Sequence, residues 1–388
     1  MRILHTSDWH IGKRLDRFDR TEEFEQALDE VETIADEREV DLVLVSGDVF
    51  DRPIPPIEAL RLGLDRLVRL AASRPVVAVA GNHDSPELFE TLAPLLAPRG
   101  VHLVGRIKRP EAGGLLGPDV LGVPAVVACF PFLREGRVVD FMAETGSWYR
   151  AYADRVRALC GRYSEALVAA AGSDLVPLLT AHFLVGGVRV DRSAPRGERE
   201  LHMGDAYAAT SQAIPAGPQY VAMGHIHAPQ PVPGAAVPAE YAGSLLPLDF
   251  GEAGEAKRVV VVEAEPGRLA VAESVPLSAG RPLVRITDTW EAIERRRDEL
   301  AESYLDLTVR AAGIDTSLAD RAHEAFGFLV RVRAQRPERD VGARLAKQHR
   351  SWDVLYAEFL RRETDDEAPE DLFAEFRSVL EEAGDASA

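Results

Sequence analysis

VVAVAGNHD, residues 76–84, is the stretch on which the fold turns. Five small or branched apolar residues in a row, without polar alternation, read as a short strand buried on both faces. The run stops at Gly81, and Asn82, His83 and Asp84 follow at once. Three polar side chains at the mouth of a buried strand serve no packing purpose, so the triplet reads as chemistry.

Four other runs end the same way. RILHTSDWH (2–10) delivers Asp8 and His10, and LVLVSGDVFD (42–51) delivers Asp48. LVPLLTAHF (175–183) delivers His182, and YVAMGHIH (220–227) delivers His225 and His227. Between the first two runs Phe24, Leu28, Val31 and Ile34 share one helical face, and between the second and third Leu60, Leu64, Leu67 and Leu70 share another. This βαβ rhythm predicts a layered α/β fold, in which the carboxyl ends of parallel strands lie along one edge and gather ligands.

The rest of the chain divides by pattern. Residues 134–172 read as mostly helical, 228–240 as a Pro/Gly/Ala-rich loop, and Tyr241–Val275 as short strands on the far side of a β-sandwich. A boundary falls near Pro276–Pro282. A small β-α-β-α-β unit follows, with strands at 283–286, 304–311 and 328–333 and helices at 290–302 and 316–325. A basic link leads to two amphipathic helices. One carries Trp352, Leu355, Tyr356 and Phe359 on a face, the other Leu372, Phe373, Phe376, Val379 and Leu380. The expected domains are therefore 1–275, 276–340 and 341–388.

Composition narrows the chemistry. The two cysteines, Cys129 and Cys160, form no CxxC pair, so a thiolate metal site and a disulfide framework are both excluded. Met1 is followed by a charged strand rather than an apolar leader, and the uncharged run Val120–Leu133, which holds two prolines, is too short to span a bilayer. We read the chain as cytoplasmic, with no membrane partner. The net charge of −18 argues against a uniformly basic nucleic-acid binder. Binding uses patches, however, and segment 331–350 carries seven Arg or Lys against two acids.

The strand-end donors are carboxylate, imidazole and amide oxygen, without sulfur. That mixture suits Mn²⁺, Fe or Zn²⁺. Seven donors are too many for one open catalytic ion and enough for two, which can share a carboxylate and drive an in-line phosphoryl displacement. His5 reads as a packing residue, and His102, His202, His323 and His349 stand outside every donor cluster. No GxxxxGK[ST] loop occurs, so ATP handling is not expected of this chain.

The order DxH, GD, GNHD, H, GHxH resembles that of the calcineurin-like metallophosphoesterases. MRILHTSDWHIGKRL, GDVFDR, GNHDSPE, YVAMGHIHAPQ and YAGSLLPLDFGE bring the likeness close to the nuclease subunits of bacterial DNA-end-processing complexes. The resemblance implies a four-layer α-β-β-α sandwich with a small α+β capping domain and a C-terminal helical pair. It implies two Mn²⁺, with Mg²⁺, Fe or Zn²⁺ as substitutes. Asp8, His10 and His227 would hold one ion, Asn82, His182 and His225 the other, and Asp48 would bridge them. His83 would stand beside the scissile phosphate as the catalytic residue, a general acid or transition-state stabiliser, and Asp51 occupies a position where some relatives carry a histidine. The implied activity is exonuclease and hairpin-endonuclease cleavage of DNA, in a heterotetramer of two nuclease subunits with a coiled-coil ATPase. A phosphoesterase acting on small phosphoesters or nucleotides is the alternative.

Overall fold

A computed structural model of the chain describes residues 1–134, 145–189, 209–310 and 316–335. By internal packing the chain divides into a large unit, Met1–Thr308 with Ser317–Arg333, and a small one, Val309–Thr316 with Ala334–Ala388. The small unit lies almost wholly outside the described residues, as do the expected C-terminal helices and most of the basic link.

In the large unit, strands β1 (Arg2–Thr6), β2 (Leu42–Val45), β3 (Val76–Val79) and β4 (Val101–Val104) run parallel. The next strand, β5 (Leu115–Leu116), leaves this sheet and pairs with β6 (Ala125–Phe130) in a second one. There β6, β7 (Val176–His182), β8 (Tyr220–Gly224) and β10 (Ala239–Tyr241) are parallel, with β9 (Gln230–Pro231) on the far edge. The first sheet is completed by β11 (Arg258–Glu263), antiparallel to β1, and by β12 (Val271–Pro276). Each sheet has six strands.

Side-chain alternation builds the layers. Leu4, Val43, Val45, Val76 and Ala78 pack with Phe24, Leu28, Val31, Leu62, Leu67 and Phe89 of helices α1 (Thr21–Glu37), α2 (Ile57–Leu70) and α3 (Pro86–Leu96). The intervening residues Ile3, Leu42, Leu44, Val77 and Val79 meet Val127, Cys129, Leu178, Tyr220 and Ala222 of the second sheet. That sheet's other face, with Val126, Ala128, Leu179 and Val221, packs on Tyr152, Val156, Cys160 and Leu167 of the helix Thr145–Ala171. The order is thus helix, sheet, sheet, helix. The inner strands of each sheet are apolar on both faces because neither face meets water, which is why they carry no polar alternation, whereas the edge strand β12 is exposed.

Several elements differ from the sequence reading. The uncharged run near 120–133 holds a central strand, β6, whose six residues are all buried. The expected loop 228–240 contains β9 and the start of β10, because parallel pairing to β8 overrides its Pro/Gly composition. The expected helix 290–302 is two short ones, Trp290–Glu294 and Arg297–Leu300. No apolar residue lies between Ile293 and Leu300 to hold a continuous face on the core. These helices join β13 (Leu283–Asp288) to β14 (Tyr304–Arg310), and Leu318–Ala325 leads to β15 (Leu329–Gln335), in a separate three-stranded sheet. Leu283 and Tyr304 of this sheet pack with Leu15 and Phe250 of the sandwich. Among the described residues no helix is long and apolar enough to cross a membrane.

Candidate metal centre

The two sheets bring their strand ends to one place. The parallel ladder continues past β1 and β2 as Asp8 N–H to Gly47 O and His10 N–H to Asp48 O, both 2.9 Å. The sheets are stitched together at the same level. Ser46 Oγ donates to Ala222 O (3.1 Å) and accepts from Thr180 Oγ1 (3.0 Å), while Phe132 N–H donates to Ala80 O (2.9 Å).

Side chains of all five ligand-bearing segments converge there. Asp48 Oδ2 lies 3.4 Å from His182 Nε2 and 3.6 Å from His10 Nε2. His10 Nε2 is 3.1 Å from His227 Nε2. Asn82 Oδ1 is 2.9 Å from His182 Nε2 and 2.8 Å from His225 Nδ1. Three overlapping groups could each hold a cation: Asp8 with His10 and His227; His10 with Asp48 and His83; Asp8 with Asp48 and His182. Two donors about 2.1 Å from one ion, at a right angle, stand about 3 Å apart, so these spacings fit coordination. All seven sequence-identified ligands and His83 therefore meet. His5 does not join them: its ring is buried between Tyr220 Oη (2.9 Å) and Met223 O (3.2 Å), a satisfied core histidine.

The backbone is strained where the donors sit. Asp8, His10, Asp48 and His225 have φ of 50°, 49°, 51° and 100°, in the left-handed region that L-residues avoid. Close approach also dictates the neighbours. A Cβ on Gly81 would lie 2.1 Å from Asp48 Oδ1 and 2.5 Å from Asp48 N, so only glycine lets the β2 and β3 loops touch.

Hydrogen bonds fix the rings of His182 and His83. His182 Nδ1 donates to Ser46 O (2.7 Å), leaving Nε2 for the site. His83 Nδ1 donates to Asp51 O (2.8 Å), and its main-chain N–H donates to Asp48 Oδ1 (2.8 Å). The Asp8 carboxylate accepts from Ser7 Oγ (2.6 Å) and His225 N–H (3.0 Å). Burial opposes charge on these groups, but their mutual fields decide the outcome. Burial alone would lower His182, yet the Asp48 and Asp8 carboxylates hold it up at about 9. His10 is lowered, chiefly by burial. Burial would raise Asp51, but its contact with His10 and the Lys13 ammonium hold it at about 2.

Two residues to which the sequence reading assigned no role complete the centre. Asp84, fully buried, accepts N–H groups from Gly81 (2.9 Å), Phe50 (2.9 Å) and Val49 (3.2 Å). It ties the GNHD loop to the GDVFD loop, so the triplet after β3 has a packing purpose after all. Burial, and then the Asp48 charge, push its carboxyl up to about 7. The other is Glu252, which accepts from His227 Nδ1 at 2.9 Å. Its signal was the GE that closes YAGSLLPLDFGE, an acid just after the apolar run Leu245–Leu248.

Buried carboxylates and imidazoles on two facing sheet edges define a class, the metal-dependent phosphoesterases, and residues 1–229 match the calcineurin-like phosphoesterase family. The family implies a dinuclear metal site and hydrolysis of phosphodiester bonds. The likeness extends to full-length relatives. This chain is 31% identical to the SbcD chain of the nuclease SbcCD of Bacillus subtilis (strain 168), covering 98% of this chain and 99% of the relative. The SbcD chain of Rhodobacter capsulatus is 31% identical over 89% of this chain and 83% of its own, and that of Escherichia coli K12 is 30% identical over 80% and 78%. The chain belongs to the SbcD family of calcineurin-like phosphoesterases.

Proposed function

We propose that this chain is a Mn²⁺-dependent DNA nuclease subunit, cutting duplex ends exonucleolytically and hairpins endonucleolytically, and working with an SbcC-type coiled-coil ATPase. The observation that supports it most is the position of Asp48 Oδ2 between His182 Nε2 and His10 Nε2, as a carboxylate shared by two ions requires. Asp8, His10 and His227 hold one ion, and Asn82, His182 and His225 the other. Two cations bound there would supply an activated water and neutralise charge on the phosphoryl oxygens. Mg²⁺, Fe or Zn²⁺ would satisfy the same donors.

The chain's own residues do the rest. His83 keeps Nδ1–H on the Asp51 carbonyl, so Nε2 is the nitrogen it presents to substrate. From Nε2 it gives a proton or a hydrogen bond to the leaving oxygen. After transfer the neutral ring retains Nδ1–H and its orientation. The Asp48 carboxylate also accepts the His83 main-chain N–H, so the shared ligand and the acid move as one body.

Residues 276–340 act as a cap on substrate, and residues 341–388 dock the ATPase, two nuclease subunits forming the homodimer of a heterotetramer. The test of the activity is direct. The purified chain, given linear duplex DNA and Mn²⁺, shortens the DNA and loses that activity with chelator. Hydrolysis of small phosphomonoesters alone would overturn the nuclease reading. The test of the docking segment is deletion of 345–388, which abolishes co-elution with the ATPase while metal content is unchanged.

A further inference from the structure

Glu252 is buried in the sandwich, yet it belongs to none of the donor groups that could hold a cation. Its two oxygens divide their work. Oε1 takes His227 Nδ1 at 2.9 Å. Oε2 takes Lys257 Nζ (2.6 Å), Leu248 N–H (3.1 Å) and Ser244 Oγ (3.3 Å). Lys257, itself buried, also donates to His227 O (3.0 Å), and Ser244 N–H donates to the same carbonyl (3.2 Å). One residue, His227, is thus gripped at its ring and at its main chain by a single short segment, 244–257.

We infer that Glu252, anchored by Lys257, is the positioning residue that fixes His227 as an Nδ1–H tautomer and so makes Nε2 a ligand. The inference rests on the assignment of His227 to a metal ion made above. A neutral imidazole has one protonated and one unprotonated nitrogen, and the hydrogen bond at one decides which is which. A carboxylate has no proton to give, so Nδ1 must carry it. Nε2 is then unprotonated and aimed 3.1 Å from His10 Nε2, the second donor of the same group. Lys257 and the Leu248 N–H occupy the far oxygen, so the carboxylate cannot rotate away from the ring.

The arrangement makes Glu252→Gln informative. Lys257 and the Leu248 N–H both donate to the Oε2 position, so the amide oxygen takes the Oε2 side and the NH₂ group faces His227 Nδ1. A donor there forces the proton to Nε2 and removes the ligand. In the full chain titrated with Mn²⁺ alone, the unsubstituted protein binds two ions. Glu252→Gln keeps one at unchanged affinity and weakens the other about 10–100-fold, the range for loss of such an outer partner. Nitrogen NMR of the metal-free chain shows His227 protonated at Nδ1, and at Nε2 in the variant, a change that mere loosening would not give.

Two ions bound equally well by both proteins, with the same tautomer, overturn this inference and leave the metal site standing. Fewer than two ions on the unsubstituted chain overturn the ligand assignment itself, and this inference with it. If Glu252→Gln fails to fold, the tautomer in the unsubstituted chain decides: a proton on Nε2 of His227 sinks the inference.

Discussion

Asp84 Oδ1 accepts the main-chain N–H of Phe50 at 2.9 Å, joining two loops that are remote in sequence. With the bonds from Val49 and Gly81, it clamps the loop bearing Asp48 to the loop bearing Asn82 and His83. Asp84→Asn keeps the shape but turns one acceptor into a donor. At least one buried N–H then loses its partner, which costs about 1–3 kcal/mol. Urea unfolding of the metal-free chain should register that loss, and cleavage should fall as well because His83 shifts against Asp48. Stability equal to that of the unsubstituted protein would mean the clamp carries no energy.

A second relationship concerns space rather than bonding. The Cβ of Gly81→Ala would meet Asp48 Oδ1 at 2.1 Å and Asp48 N at 2.5 Å, and both belong to a buried loop that cannot retreat. The loops must separate, which costs roughly 1–3 kcal/mol as overpacking does. Asp48 then leaves its place between His10 and His182. The expected outcome is a folded protein whose Mn²⁺ content, measured by atomic emission after dialysis, drops below that of the unsubstituted chain.

Much of this centre was legible in the sequence, because each ligand follows a strand and strands are short, apolar and uninterrupted. Asp8, Asp48, His83 and His225 could be found from their own neighbours. What could not be read was which sheet each strand joins. Periodicity is local, whereas β3 and β7 come together only through the inter-sheet core of Val77, Val79 and Leu178. Strand β6 was passed over because a wholly buried strand looks like any other apolar run. Asp84 and Glu252 were missed for a related reason. Their value lies in which main-chain groups they meet, and no spacing rule encodes that.

Glu23 gives the acid limb of stability. Burial would raise its carboxyl, but the Arg20 guanidinium, the Tyr304 hydroxyl (2.6 Å) and Arg281 N–H (3.0 Å) outweigh burial and hold it below the ordinary glutamate value of 4.5. A lowered acid stabilises the fold fully above its ordinary value, and that stabilisation fades as pH falls below it. Arg20 is buried against Glu23 at 2.9 Å, so Glu23→Gln strands a buried cation at a cost on the order of 3 kcal/mol. Melting temperatures from pH 6 to pH 3 should fall less steeply in Glu23→Gln, from a lower starting value. Parallel curves would show that the Glu23 carboxyl contributes nothing to the acid limb.

His83 is the residue on which chemistry and binding separate. Its ring is held through Nδ1 by Asp51 O and its main chain by Asp48 Oδ1, so its removal takes away a side chain without taking away either anchor. In His83→Ala the main-chain N–H still supports Asp48, and the seven ligands are untouched. Metal content should therefore match that of the unsubstituted chain. Loss of a general acid typically costs 10²–10⁴-fold, so DNA cleavage at saturating Mn²⁺ should fall by about that factor. A leaving group that needs no proton, such as a nitrophenolate, should suffer far less, because the acid serves the leaving oxygen rather than the attack. Equal losses on DNA and on the nitrophenyl ester would assign His83 to stabilising the phosphoryl group instead. Unchanged cleavage of both would remove it from the mechanism.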